Sequence, residues 1–190
     1  MTLPIALVES RLLLPAGLAT TELDAAFGAL LGPGIDFGDL YFQHARRESW
    51  TIEDGIVKDG AHSIEQGVGV RAISGDKTGF AYSDEIDTKA LIEASKSARA
   101  IARDGSATAP RALVPGAGRA LYAPDDPIDG MGNEEKVAAL REIDKLLRAA
   151  DPRVQQVMVS LAGGVDTVLV ARSASTLSSL GRPSIGSSAL

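Results

Sequence analysis

The chain has 190 residues, 45% of them apolar, enough to build one ordinary core rather than a disordered tail. A formal charge of −6 argues against a phosphate-backbone ligand, because nucleic-acid affinity comes mainly from Lys and Arg displacing counterions. With no cysteine, a disulfide framework, a thiolate metal site and a thiol nucleophile are all unavailable.

The opening stretch carries apolar Ile5, Ala6, Leu7, Val8 and Leu12 to Leu14, but Glu9 and Arg11 interrupt it and no basic segment precedes it. It reads as neither a signal peptide nor a bilayer span, so a cytoplasmic location is expected. A first helix is predicted over residues 21–31, where Thr21 with Asp24 resembles a capping box and Leu23, Phe27, Leu30 and Leu31 recur at helical spacing. Gly32-Pro33-Gly34 ends it.

From Asp39 to Asp84 the pattern changes to strand-like runs broken by Asp54-Gly55, Asp59-Gly60 and Gly75-Asp76, the chemistry of two-residue hairpin turns. Strands are predicted at residues 40–46, 49–53, 56–62, 66–74 and 77–83, an antiparallel meander, with Asp59-Gly60 as a turn or a bulge. A second helix starts from Asp87 or Thr88 as N-cap, buries Leu91, Ala94, Ala98 and Ile101, and stops at Gly105. Residues 104–132 read as a long Pro- and Gly-rich loop with an extended piece at 119–122.

The third predicted helix begins at an Asn133 N-cap, with Glu134 and Glu135 at the positive end of its dipole, and closes at Asp151-Pro152. Its expected buried stripe is Val137, Leu140, Ile143 and Leu147. Residues 154–161 and 165–171 read as two strands joined by a hairpin at Gly163-Gly164. Beyond Ala171, Ser173, Ser175, Ser178, Ser179, Ser184, Ser187 and Ser188 crowd a stretch without period, and a flexible end is expected there. The expected fold class is therefore α+β, an antiparallel meander sheet with about three helices packed on it, in a domain of residues 1–171 followed by a Ser-rich tail of 172–190.

Little in this pattern carries chemistry. The two histidines, His44 and His62, stand on predicted strands without HExxH, HExxxH or any other close-spaced ligand set, so no zinc site is assigned within the chain. No G-x-S-x-G elbow or P-loop is present, and Gly67-Val68-Gly69 is followed by strand-like Arg71-Ala72-Ile73 where a dinucleotide site needs a helix. The acidic set Asp84, Glu85 and Asp87 reads as a solvated helix entry.

Strand alternation gives Gly67, Gly69 and Arg71 a shared face, a strip of bare backbone beside a guanidinium. Either a helix packs on that strip or a peptide or partner chain does. Trp50, Tyr41, Phe42, Phe80 and Tyr82 cluster in the same region as a binding wall or as core and cross-strand packing.

Gly38-Asp39-Leu40-Tyr41-Phe42-Gln43, Glu48-Ser49-Trp50, the run from Gln66 to Gly75, and Lys77-Thr78-Gly79-Phe80-Ala81-Tyr82 resemble the amino-terminal domain of TldD-type members of the TldD/PmbA family, once labelled modulators of DNA gyrase. The likeness extends through Glu134-Glu135-Lys136 and Asp144-Lys145 to about Ala171. Family members continue into a second domain, where an HExxxH helix and a later cysteine hold a zinc ion that hydrolyses peptides; those residues are absent here.

The resemblance thus implies an architecture and a company: a cytosolic protein pairing with a related subunit as a homo- or heterodimer, handling small unfolded peptides, its domain walling the chamber that admits them. It implies no catalytic or metal residue in this chain, zinc as cofactor only in the full-length family, and Gly67, Gly69 and Arg71 as candidates for lining the route. A shortened polypeptide, a frameshifted gene or a stand-alone paralogue would all read this way at the Ser-rich end. The rival reading is a stand-alone peptide- or protein-binding module that uses the Gly-rich strand by β-augmentation. A DNA-associated regulator is disfavoured by the acidic balance.

Overall fold

The computed structural model describes the backbone of residues 5–103, 114–115, 126–173 and 176–189, and the side chains of residue 6 and of residues 8–103 and 126–173. In chain order the elements are α1 (Ile5–Leu12), a 3₁₀ turn (Leu14–Ala16), α2 (Thr20–Leu30), β1 (Phe37–Glu53), β2 (Ile56–Ser74), β3 (Lys77–Ser83), α3 (Thr88–Ala102), β4 (Val114–Pro115), α4 (Asn133–Ala150), β5 (Met158–Arg172) and β6 (Thr176–Ala189). The strands form a sheet in the order β3-β2-β1-β5-β6-β4. The α+β class is as expected, with β4 and β6 adding a short parallel pair to the antiparallel run. By contacts the chain divides into two compact units, Met1–His44 with Glu65–Tyr122 and Thr167–Gly181, and Ala45–Ile64 with Ala123–Asp166 and Arg182–Leu190.

In the first unit, Leu40 and Phe42 of β1, Val68, Val70 and Ala72 of β2, and Leu169 and Ala171 of β5 turn to a core shared with the helices. Helix α1 joins that core through Val8 and Leu12, one helical turn apart, in a stretch the sequence reading left without an element. Its successor turn ends at Gly17, whose φ of 66° releases the chain so that Leu18 is buried. Helix α2 starts after Ala19, whose N–H donates to Glu22 at 2.8 Å; the expected Thr21–Asp24 box is not the cap used. The Thr21 hydroxyl and then the Ala19 N–H hold the Glu22 carboxyl below its usual range.

Helix α3 starts as predicted, with the Asp87 carboxylate accepting from Ala90 N–H at 2.7 Å. Leu91, Ala94 and Ala98 are buried, but Ile101 is exposed and Ala102 takes the core position instead. The helix ends at Ala102, short of the expected Gly105. It approaches the sheet tightly at Gly79, where a Cβ would lie 2.0 Å from the Ala98 carbonyl oxygen. On the other side of the helix, the Arg99 guanidinium occupies the space beside Gly32, where a Cβ would lie 2.0 Å from Nη2.

In the second unit the buried core is small: Ile52, Leu140, Val157 and Val159, with Trp50, Val137, Leu147, Val154 and Leu161 partly buried around it. At about 1.5–3 kcal/mol for each fully buried aliphatic side chain, four such residues leave much to polar contacts. Helix α4 supplies these from its buried face, which holds Lys136, Leu140 and Asp144, while Ile143 of the predicted apolar stripe is 39% exposed. Lys136 donates to the Ile128 carbonyl and pairs with Glu48 at 2.7 Å, both side chains nearly sealed from water. Arg46 joins Asp126 and Asp129, and these carboxylates keep its guanidinium above the ordinary range. Gly132, with Glu135 accepting from its N–H at 2.9 Å, is the cap of α4, and Asn133 is the first helical residue.

Four turn assignments separate cleanly. Asp54-Gly55 is a hairpin turn with φ of 51° and 74°, and Gly75, at φ 54°, lies between Ser74 and Lys77. Asp59-Gly60 is not a turn: β2 runs through it, and a Cβ at Gly60 would lie 2.8 Å from the Trp50 ring, so the glycine makes room for the indole. Gly163-Gly164 is likewise inside the continuous strand β5, where Gly163 faces Glu48 at a Cβ distance of 3.5 Å. The predicted pairs 40–46/49–53 and 56–62/66–74 therefore merge into β1 and β2. Strand β6 occupies residues for which no element was expected, and the extended piece at 119–122 lies outside the described residues.

Two predictions follow from these contacts. A Gly79→Ala protein is expected to lose about 1–3 kcal/mol, since the new methyl meets helix backbone that has no rotamer to yield; urea denaturation against the parent chain measures it. Asp54 is held below its usual 3.8, first by the N–H of Val157 and further by Arg148, against desolvation. A depressed carboxylate stabilises the fold above its unfolded pKa, and that contribution is lost as pH falls through the lower folded value. Asp54→Asn keeps a residue suited to positive φ and is expected to lose less stability than the parent on acidification below about pH 4.

Candidate interaction surface

The strip predicted from alternation is built as follows. On β2, Val68, Val70 and Ala72 turn to the core that carries α3, so Gly67, Gly69 and Arg71 turn to the opposite face. The helix expected as one possible cover is therefore on the other side of the sheet. Pairing with β3 sets Val68 opposite Ser83, Gly69 opposite Tyr82 and Arg71 opposite Phe80. The ring of Phe80 leans onto Gly69, where a Cβ would stand 3.1 Å from Cε2 and Cζ. At Gly67 a Cβ would come within 2.8 Å of the Ser83 carbonyl oxygen. Both glycines thus admit neighbours that any side chain would displace.

Arg71 reaches across to β1, where its Nε donates to Asp39 at 3.3 and 3.2 Å and its Nη2 closes the fork. Asp39 is 8% exposed, and its carboxylate holds the Arg71 guanidinium above its ordinary range. This partner was not read from the sequence, although Asp39 shares the parity of Tyr41 on β1 and so the same face. Around the pair stand Tyr41, Phe80 and Tyr82, exposed by 41%, 56% and 74%. Of the aromatic group named from sequence, these three form an open wall; Phe42 is in the core and Trp50 belongs to the second unit. Its indole Nε1 is buried without an acceptor among the described residues.

Several buried or half-buried charges elsewhere are paired. Among the described residues no group of three or more His, Cys, Asp and Glu side chains could hold a metal ion. The buried charges of the second unit, Glu48 with Lys136 and Asp144 with Arg148, are internally paired. Asp87 is spent as a helix cap and Glu85 N–H donates to the Ser83 hydroxyl at 3.1 Å. This face of the first unit presents exposed aromatics, a paired guanidinium and glycine backbone.

Residues 38–102 match the model of PmbA/TldA metallopeptidase domain 1, and residues 126–188 match that of the PmbA/TldA metallopeptidase central domain. The chain belongs to the PmbA/TldD family. It is 39% identical over 178 residues to a metalloprotease TldD homologue of Haemophilus influenzae, covering 93% of this chain and 37% of that protein. A solved modulator-of-DNA-gyrase structure from Bacteroides thetaiotaomicron shares its fold at a TM-score of 0.66 and 16% identity, over 89% of this chain and 40% of the other. One from Thermotoga maritima does so at 0.63 and 14%, over 88% and 37%. The chain thus spans well under half the length of these relatives. The residues described here do not fit the metal that the family name implies, and no helix among them is long and apolar enough to cross a membrane.

Removing Arg71 leaves the nearly buried Asp39 carboxylate without its fork. Arg71→Ala is expected to cost about 1–2 kcal/mol, in the lower range because the guanidinium itself is half exposed. Arg71→Lys should restore only part of that, a single ammonium being unable to match the fork; urea midpoints of the three proteins decide it.

Proposed function

We propose that this chain acts as the amino-terminal, non-catalytic part of a TldD-type zinc metallopeptidase, helping to form the peptide-access chamber and the subunit interface. Proteolysis would reside in a carboxy-terminal HExxxH domain. The observation that carries this reading is 39% identity to a metalloprotease TldD homologue across nearly the whole chain, from a stretch that has neither HExxxH nor cysteine. In this reading Gly67, Gly69 and Arg71, flanked by Tyr41, Phe80 and Tyr82, line the contact with peptide or with a second TldD/PmbA-type subunit in the cytoplasm. Zinc serves the assembly, with no step assigned to residues here.

The alternative, a stand-alone module that pairs a peptide with the Gly-rich strand itself, meets an obstacle in the topology. From Val68 to Ser74 that strand already has β3 on one side, and β1 is its neighbour on the other. Side chains could still dock on its face.

Affinity capture from the source cell with this chain as bait is expected to recover a TldD/PmbA-type subunit. Purified alone and supplied with zinc, the chain should bind no stoichiometric metal and cleave no unfolded peptide. Stoichiometric zinc with turnover would overturn the non-catalytic assignment.

A further inference from the structure

We propose that the outer edge of β3, with the groove between it and α3, binds an extended peptide segment carrying a basic side chain. Strand β3 ends the sheet: its seven residues pair with β2 along one edge, and among the described residues no strand neighbours the other. A free edge offers a row of N–H and C=O groups that only another extended backbone matches in spacing.

The helix gives this edge its specificity. At Gly79 the backbone of α3 presses on β3, and toward Ser83 a groove of about 310 Å³ lies between Ala81–Ser83 and α3. Ala90, Ala94 and Ser97 line its helical side, side chains too short to fill it. In a peptide added to β3, successive side chains would alternate between this groove and the opposite face. The charged groups along the groove are Glu85, Glu93 and Lys89, two carboxylates against one ammonium, and neither carboxylate forms an ion pair among the described residues. That imbalance favours Lys or Arg in the incoming strand. The site lies within the first unit and does not depend on the peptidase reading.

The test uses the full chain and three fluorescein-labelled heptapeptides, acetylated and amidated: one alternating Lys with Val, one alternating Glu with Val, and the Lys peptide N-methylated at alternate backbone nitrogens. Fluorescence polarisation is expected to give saturable binding of the Lys peptide, with the Glu peptide and the N-methylated peptide each weaker by about tenfold or more. Glu93 is exposed, so Glu93→Lys should fold normally and shift the preference toward the Glu peptide. No saturation by 1 mM of the Lys peptide, roughly the limit of a meaningful affinity, would overturn the proposal. So would equal binding of the N-methylated peptide, or an unchanged preference in Glu93→Lys. Light scattering showing a dimer that Glu93→Lys abolishes, with no saturable binding of the Lys peptide, would overturn the proposal and assign the edge to a second copy of the chain.

Discussion

The contact on which the first unit depends is the approach of helix backbone to strand backbone at Gly79. With the Ala98 carbonyl occupying the place of a Cβ, α3 can sit that close only because the strand has no side chain there. This fixes the helix on the face of Val70 and Ala72 and brings Leu91, Ala94 and Ala98 into the core. The remaining face is then left to Asp39, Tyr41, Arg71, Phe80 and Tyr82, and its glycines are occupied by neighbouring strand groups rather than by a helix. One face thus carries the apolar burial that stabilises the unit, and the other carries aromatic surface available for contact.

The second unit is organised by a different balance. Its apolar core is thin, and polar contacts do much of the locating: the buried Lys136–Glu48 pair ties α4 to β1 and Lys136 also reaches the Ile128 carbonyl, while nearer the surface Arg148 pairs with Asp54 and Arg141 donates to the Gly55 carbonyl at the β1–β2 turn. The Lys136–Glu48 pair is costly to break because either loss leaves a buried charge without its counter-ion.

Much of this was legible in the sequence where local chemistry and tertiary structure agree. Asp54-Gly55 and Gly75-Asp76 carry the backbone preference of the turns they make, and Asp87 caps α3 because its carboxylate meets a free N–H. The alternation of Gly67, Gly69 and Arg71 placed them on one face. What failed was information that lives in contacts. Gly60 looks like a turn residue but is bare because Trp50 lies against it, and Gly163 looks like one but sits within β5. Lys136 and Asp144 interrupt the apolar stripe of α4 and are buried because Glu48 and Arg148 meet them. No helical period foretells that. The Ser-rich stretch of β6 has no strand pattern of its own, and its pairing with β4 is nonlocal. The family was legible because long runs of the meander kept their residues, whereas the partner of Arg71 required the register.

The chain is a PmbA/TldD-family polypeptide whose first unit carries an open aromatic face. The central claim is that the open face of Tyr41, Phe80 and Tyr82 is buried when the protein works. Hydroxyl-radical footprinting read by mass spectrometry tests it directly, comparing the purified chain with the complex recovered from its cell. The account predicts that all three aromatics are oxidised readily in the isolated chain and protected in the complex, with Phe42 protected in both. Equal oxidation of the three in both samples would contradict it.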